Sequence, residues 1–395
     1  MIEPLLVSNV VDGSVTRVNT NIIDQPTATT GTIAVVKVSG DSTAGNFVLG
    51  DVTFDSNQSF LTVRTVGMES AIDTSNATPD VFSVDFAVTG LSDAGTLAAS
   101  FAPGVQSLMN SQIGTWRQRM GVIDQGKHGF GVWGRTFSDS GTIDPGNVAT
   151  NIGQDGNFTF DQKNTGGEAG VNFGITDQFT VGLLAGKARA TQTLNGGGTG
   201  STKLDGDTSG AYATWLSPSG FYVDASYRHM KFDAKLDSVA GESRTSGKAN
   251  AFNVEAGYAF ALGDGYKIEP QVQYTYTKVG HGSTLEGALT GFTPDGGTSS
   301  RARIGVAARK SFNTNGTTWT PYVAVSEVHE FDGKNTYAID NTFFGSTNTK
   351  GTSTLLEGGL NVQVGNFAVF GGVNWQDGGA LSSFTGGQLG IRYNW

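Results

Sequence analysis

Two arginines, Arg117 and Arg119, close a stretch whose apolar residues recur at helical spacing. Five acids, Glu168, Asp224, Glu255, Glu269 and Glu357, fall on the polar side of strand-like segments further along. Guanidinium groups on a helix and carboxylates on surrounding strands supply the pairing chemistry of a buried polar interior, where each charge needs an opposite partner. Little else points to a reaction. Cysteine is absent and the four histidines (His128, His229, His281, His329) are scattered, which argues against Cys/His metal sites and a disulfide framework. Gly-x-Ser-x-Gly, Walker and paired-His zinc motifs are missing. Gly196-Gly197-Gly198 lies in a polar loop instead of leading a buried strand into a helix, so no phosphate cradle is expected. No catalytic residue, metal or cofactor is assigned on this basis.

The elements that position these charges are strands. From residue 127 onward, twelve are predicted, at about 128–137, 158–175, 179–190, 204–216, 221–232, 248–261, 266–278, 300–312, 317–331, 353–364, 367–376 and 384–395. After even-numbered strands the connections are tight: Thr176-Asp177-Gln178, Ser217-Pro218-Ser219-Gly220, Leu262-Gly263-Asp264-Gly265, Asn313-Thr314-Asn315-Gly316 and Gly365-Asn366. After odd-numbered strands they are mostly long and polar, as at Ser138–Asn157, Asp233–Gly247, Val279–Ser299 and Asp332–Thr352. Such sorting means that the two ends of the sheet face different surroundings. A transmembrane barrel sorts its loops in this way and has an even strand number; a soluble sandwich has no reason to.

The faces agree. Phe221, Val223, Ala225 and Tyr227 oppose Asp224, Ser226 and Arg228; Phe252, Val254, Ala256, Tyr258 and Phe260 oppose Asn253, Glu255 and Gly257. Ile268, Val272, Tyr274 and Tyr276 oppose Glu269, Gln271, Gln273 and Thr275, and Ala302, Ile304, Val306 and Ala308 oppose Arg301, Arg303 and Arg309. Apolar faces would meet lipid and charged faces a polar lumen. Tyr227, Tyr258, Tyr274, Trp319, Trp375, Tyr393 and Trp395 suit an aromatic girdle. Pro270 and Pro321 fall inside strands, where a closed barrel has no free edge for a missing N–H; pairing that begins just after them, or a bulge, would accommodate both. No stretch approaches the roughly 18 apolar residues of a membrane helix. With a net charge of −10 and no basic cluster, the chain is not expected to bind nucleic acid.

Residues 104–120 break the strand pattern. Val105, Leu108, Met109, Ile113, Trp116 and Met120 recur at helical spacing behind Pro103, and the opposite face carries Gln106, Ser107, Gln112, Arg117, Gln118 and Arg119. Such a helix would be about 25 Å long, close to the apolar band of a membrane barrel, about 25 Å. It is expected to run through the lumen, where Arg117 and Arg119 could pair with carboxylates such as Glu168, Asp224, Glu255, Glu269 or Glu357. Residues 1–91 carry short β runs separated by Asp/Gly/Ser/Asn turns, and read as β-helix-like or as a small sandwich. Met1-Ile2-Glu3-Pro4 lacks the basic region and apolar core of a signal peptide; an exported protein of this kind is expected to extend upstream.

The last strand ends Gln388-x-Gly390-x-x-Tyr393-x-Trp395, which resembles the C-terminal pattern by which outer-membrane barrels are recognised for insertion. A β-helix-like segment, a helix ending Arg-Gln-Arg-Met-Gly, a strand with Gly131-Val132-Trp133-Gly134-Arg135, and twelve strands ending in an aromatic together resemble a type Va autotransporter. The resemblance covers residues 92–395 well and 1–91 loosely. It implies an all-β fold: a 12-stranded antiparallel transmembrane barrel with an α-helix in its lumen. The parts would be a passenger end (1–91), a linker and lumen helix (92–126) and a translocator (127–395). It implies no enzyme, no cofactor and a monomer that anchors and exports an N-terminal passenger. Its partners would be outer-membrane lipid, the barrel-assembly machinery and its own passenger, with the residues before the helix at the cell surface. An outer-membrane channel, an outer-membrane enzyme and a soluble β-sandwich are the alternatives. Some family members cut themselves between two adjacent asparagines of the lumen helix. Here Asn110 is followed by Ser111, a departure that puts self-cleavage in doubt.

Overall fold

The computed structural model describes residues 5–8, 10–11, 13–22, 25–55, 58–75, 77–123, 128–149 and 159–395. Twelve wall strands close into an antiparallel barrel. They are β1 (Gly129–Ile143), β2 (Phe160–Gly174), β3 (Phe179–Leu194), β4 (Ser201–Leu216), β5 (Phe221–Ser238), β6 (Gly241–Tyr258), β7 (Tyr266–Val279), β8 (Phe292–Lys310), β9 (Thr317–Glu330), β10 (Gly351–Val364), β11 (Phe367–Gly378) and β12 (Leu381–Asn394). The seam joins β12 to β1, from Asn394 opposite Gly131 to Leu381 opposite Ile143. Closure leaves no edge, so wall backbone groups find partners without water, as a lipid environment demands.

The strands run beyond the predicted ends, and several expected loops are strand. The 18 residues of β5 reach about 60 Å along the chain, far more than a band of about 25 Å needs even at a tilt of about 45°. Asp233–Gly247 is therefore a hairpin whose turn is Val239-Ala240. The connection after β9 holds its own hairpin, Lys334–Ile339 with Phe343–Asn348, and Gly146–Ala149 pairs with its outer arm. Residues 150–157 of the first long connection lie outside the described residues, as does the proposed boundary at 126/127.

Both prolines sit where a neighbouring ladder is interrupted without a change of register. Pairing between β6 and β7 stops after Gly257–Gln271, and the continuation of β6 (Phe260–Gly263) resumes it at Phe260–Ile268, so Pro270 faces the gap. Pro321 faces the equivalent gap between β8 and its continuation, Phe312–Thr314. The residues in the gaps turn elsewhere: Ala259 N–H donates to Gly220 O and Ser311 N–H to Gly265 O, each 2.9 Å. A missing N–H thus costs the sheet no hydrogen bond at either place.

The outer face is apolar through its middle and aromatic toward the turns, with Phe221, Trp319, Tyr393 and Trp395 exposed at the short-turn end. Val254 faces outward between Ala225 and Tyr274. Val254→Arg is expected to destabilise the barrel by about 2–4 kcal/mol if it lies near the bilayer midplane. A heat-modifiability gel would report this as conversion of the compact band at lower temperature. An unchanged conversion would show that Val254 does not meet lipid.

On the inner face, aromatic residues lie across glycines of the neighbouring strand. Trp133 stands opposite Gly170, Tyr212 opposite Gly182, Tyr222 opposite Gly257, Tyr322 opposite Gly359 and Phe370 opposite Gly390. A Cβ on any of these glycines would come within 2.7 Å of the ring. The absent side chain is what lets each ring lie flat against the wall.

Before the barrel, Leu5–Val7 pairs in parallel with Thr30–Val38, and Thr16–Ile22 with Phe47–Phe54. Both pairings begin 31 residues apart, Leu5 with Val36 and Thr16 with Phe47, as one coil stacked on the next would. The hairpin of Leu61–Ala71 and Asp80–Leu91 then adds antiparallel to Thr30–Val38 and covers that edge. Val36, Val38, Phe47 and Phe82 form the small core.

The helical segment differs from the single helix expected at 104–120. It begins in the barrel mouth with α1 (Asp93–Ala99), capped by Ser92, and continues through Ser100 into α2 (Phe101–Ile113). Pro103 lies in the first turn of α2, where a missing N–H is tolerated. Gly114 then adopts φ +55° and ends α2. A capping box of Thr115 and Gln118 starts α3 (Trp116–Met120). The sequence pattern carried the helical spacing across this break because Ile113 and Trp116 remain three apart.

Candidate functional site: the occupied lumen

The segment from α1 to α3 enters at the long-loop end and reaches the short-turn end. In the mouth, Leu97 and Phe101 pack among Leu204, Leu236 and Phe292 on the inner side of the extended strands and Leu285 of the connection between β7 and β8. Lower down the contacts turn polar. Arg117 Nη2 donates to Glu269 Oε1 at 2.7 Å, and Arg119 Nη2 donates to Asp224 Oδ1. All four side chains are almost fully buried. The guanidiniums also stack, Arg117 over Tyr322 at 4.9 Å and Arg119 over Tyr212 at 4.3 Å.

The other three predicted carboxylates face the same interior in different roles. Glu255 accepts from the backbone N–H of Trp116 at 2.9 Å, and Glu357 accepts from Gln118 Nε2 at 3.0 Å and Thr115 Oγ1 at 3.3 Å. Negative charge therefore meets the start of α3, where N–H groups are unpaired. Glu168 does not pair with a helix arginine; it lies between Arg135 at 2.7 Å and Arg228 at 3.3 Å. Arg135 Nη2 reaches on to donate to Gln112 O, and Arg392 Nη1 donates to Met120 O. Each of these carbonyls lies at a helix C-terminus, the end that favours cations. The wall thus presents acids to the start of α3 and arginines to the ends of α2 and α3.

The sequence had placed Arg135, Arg228, Arg303 and Arg309 on polar faces or in a strand motif without giving them partners. Arg303 meets Glu255 at 3.0 Å and Arg309 meets Glu269 at 3.3 Å. One arginine on the inner face of several strands was the available sign. Among the buried charges of the wall, Arg135, Arg228, Arg303, Arg309 and Arg392 are matched in number by Glu168, Asp224, Glu255, Glu269 and Glu357. Tyr212, unremarked in the sequence, is a hub: its hydroxyl accepts from Trp133 Nε1 at 2.7 Å and donates to Asn172 Oδ1 at 2.6 Å.

A cavity of about 160 Å³ remains beside α2, lined by Ser107, Asn110, Ser111, Asp139, Arg301 and Glu330 among others. Asn164 Nδ2 donates to Ser107 Oγ, Ser111 Oγ and Asp139 Oδ1 at 3.2, 3.0 and 2.8 Å. Asn110 is helical, and its carbonyl accepts the Gly114 N–H at 2.9 Å. Asp139 faces the cavity but is bonded to Asn164, so no cleavage step is derived for Asn110 and Ser111. Of the C-terminal pattern, Tyr393 and Trp395 are exposed on the outer face, Gly390 lies under Phe370, and Gln388 lines the lumen cavity.

Comparison with known proteins matches residues 132–374 to the family described as autotransporter β-domain. The Pertactin autotransporter of Bordetella parapertussis is 29% identical over 290 residues, covering 70% of this chain and 30% of that protein. The autotransporter CRAC of Citrobacter rodentium is 25% identical over 305 residues, covering 73% of this chain and 18% of its own length. The chain therefore spans less than a third of these relatives. Among solved structures, the translocator domain of NalP from Neisseria meningitidis superposes with a TM-score of 0.57 at 15% identity, covering 76% of this chain and 99% of that one. The β-domain of the Bordetella autotransporter BrkA gives 0.53 at 20% identity, covering 68% and 100%. At these identities the structures establish a shared fold.

Proposed function

This chain belongs to the autotransporter β-domain family and is an outer-membrane translocator; on that premise we propose that residues 1–91 are the end of its passenger, held at the cell surface by the segment 92–126. In this reading the long-loop end of the barrel faces outward, and α2 and α3 are the last part of the exported chain, seated in the pore through which it passed. The observation that carries it is the buried pairing of Arg117 with Glu269 and Arg119 with Asp224, together with the fitted helix ends. Charges so enclosed and so matched favour one seated position over others. Tyr393 and Trp395 would be read by the barrel-assembly machinery, lipid would cover the outer face, and the barrel would act as a monomer. No residue is given a catalytic role.

The test is conductance across a planar bilayer. The intact chain should pass little current, and a variant lacking residues 101–120 should conduct steadily. A steady, wide conductance from the intact chain would instead support an open channel and overturn the seated helix.

A further inference from the structure

Above the outer aromatic row, three lysines stand together on the lipid-facing side of adjacent strands. Tyr227 of β5 pairs with Phe252 of β6, and Phe252 with Tyr276 of β7; all three rings are exposed. One outward step higher, His229, Asn250 and Lys278 share a row, and one step higher again Lys231 stands directly opposite Lys248. The three lysines are exposed. Like charges directly opposite each other in a ladder are destabilising, and an anion lying over the pair relieves that repulsion.

Most neighbouring charges are matched among themselves; Asp233, exposed one outward step above Lys231, forms no ion pair among the described residues and offsets one of the three lysine charges. Lys187 pairs with Asp207 at 2.9 Å and Arg189 with Asp205 at 2.6 Å, while Glu242 lies between Lys235 and Arg244. Among the described residues no carboxylate forms an ion pair with Lys231, Lys248 or Lys278. Asp207 stands directly opposite Lys231 on the other side of β5, but its ion pair goes to Lys187. Asn250 links the aromatic and basic rows: its Oδ1 accepts from Tyr227 Oη at 2.7 Å and lies 2.8 Å from His229 Nδ1.

Height identifies the anion. About ten residues of strand, tilted by about 40°, lift Lys231 roughly 25 Å above Phe221 at the short-turn end. That is the full apolar band, so Lys231 and Lys248 reach the opposite membrane surface, with Lys278 one step below them, while the three rings stay within the acyl region. We propose that Lys231, Lys248 and Lys278 bind the phosphate groups of an outer-leaflet phosphorylated glycolipid of the lipid A class, with its acyl chains along Phe252 and Tyr276. The inference rests on the orientation proposed above, with the long-loop end outward.

The folded chain in neutral detergent would be titrated with diphosphoryl lipid A, monophosphoryl lipid A and phosphatidylglycerol, with bound lipid counted by native mass spectrometry. Diphosphoryl lipid A should bind most tightly, and K231Q/K248Q/K278Q should weaken it by roughly 10- to 100-fold. K203Q, on the same face but ion-paired with Asp237 away from the three lysines, should leave it unchanged. The single variant K248Q should weaken binding in the same sense, and serves if the triple variant folds poorly. Equal binding by the triple variant, or equal affinity for phosphatidylglycerol, would overturn the site. Displacement of the lipid by inorganic phosphate would overturn it too, by assigning the lysines to a soluble anion. Protease access to residues 1–91 on intact cells reports orientation separately, so a failure there is distinguishable from a failure of lipid binding.

Discussion

Arg119→Leu is expected to unseat the lumen helix. The substitution leaves Asp224 buried with Thr214 as its remaining side-chain partner, at 2.6 Å, and strips the guanidinium from the face of Tyr212. Breaking a buried pair from one side typically costs about 3–5 kcal/mol, because an uncompensated charge stays behind. That cost falls on the seated state alone, since a helix withdrawn from the pore leaves Asp224 to water. The expected result is a barrel that still forms a compact band before boiling but opens frequently in a planar bilayer. Asp224→Leu should do the same, leaving Arg119 without its carboxylate. The double variant should lie much closer to the parent than either single one, since apolar groups of similar volume can replace a buried pair at little cost. Parental conductance from both single variants would show that this pair does not hold the helix.

What the sequence made legible follows from period. Alternation from Phe221 to Arg228 or from Ile268 to Tyr276 fixes a strand, its lipid face and its lumen face at once, so the barrel and the inward direction of all five carboxylates could be read directly. Pairing could not, because it depends on where a helix stops along the pore axis. Glu168 looked equivalent to Glu269, yet it is occupied by Arg135 and Arg228 from the wall. The break at Gly114 was hidden for a similar reason. A glycine at positive φ followed by a capping box realigns α3 without disturbing the three-residue spacing of Ile113 and Trp116. The extended strands were misread as loops because polar residues alternate with polar above a membrane. There the inner face alone is apolar, as at Phe232, Ala234 and Leu236. The prolines raised a difficulty that register answered: each faces a gap in the ladder that was already present.

The glycines opposite aromatics yield the second large effect, and they couple the wall to the helix. Tyr212→Ala is expected to destabilise the barrel by about 3–5 kcal/mol, as loss of a large buried ring does. It also removes the partner of Trp133 Nε1 and Asn172 and the surface on which Arg119 stacks. Gly182→Ala should destabilise by about 1–3 kcal/mol for the opposite reason. Its methyl group would enter the space of a ring anchored by two hydrogen bonds at its hydroxyl and covered on one face by Arg119, so the ring has little room to move. Combining the two changes tests the geometry. With the ring gone, the added methyl occupies part of the void, and the double variant should be more stable than the sum of the single effects predicts. The comparison can be made by the temperature at which the compact band converts on a gel. Strict additivity would show that Tyr212 does not lie against Gly182. If instead the pair is coupled but conductance is unchanged in Tyr212→Ala, the ring supports the wall alone and Arg119 is held by Asp224 without it.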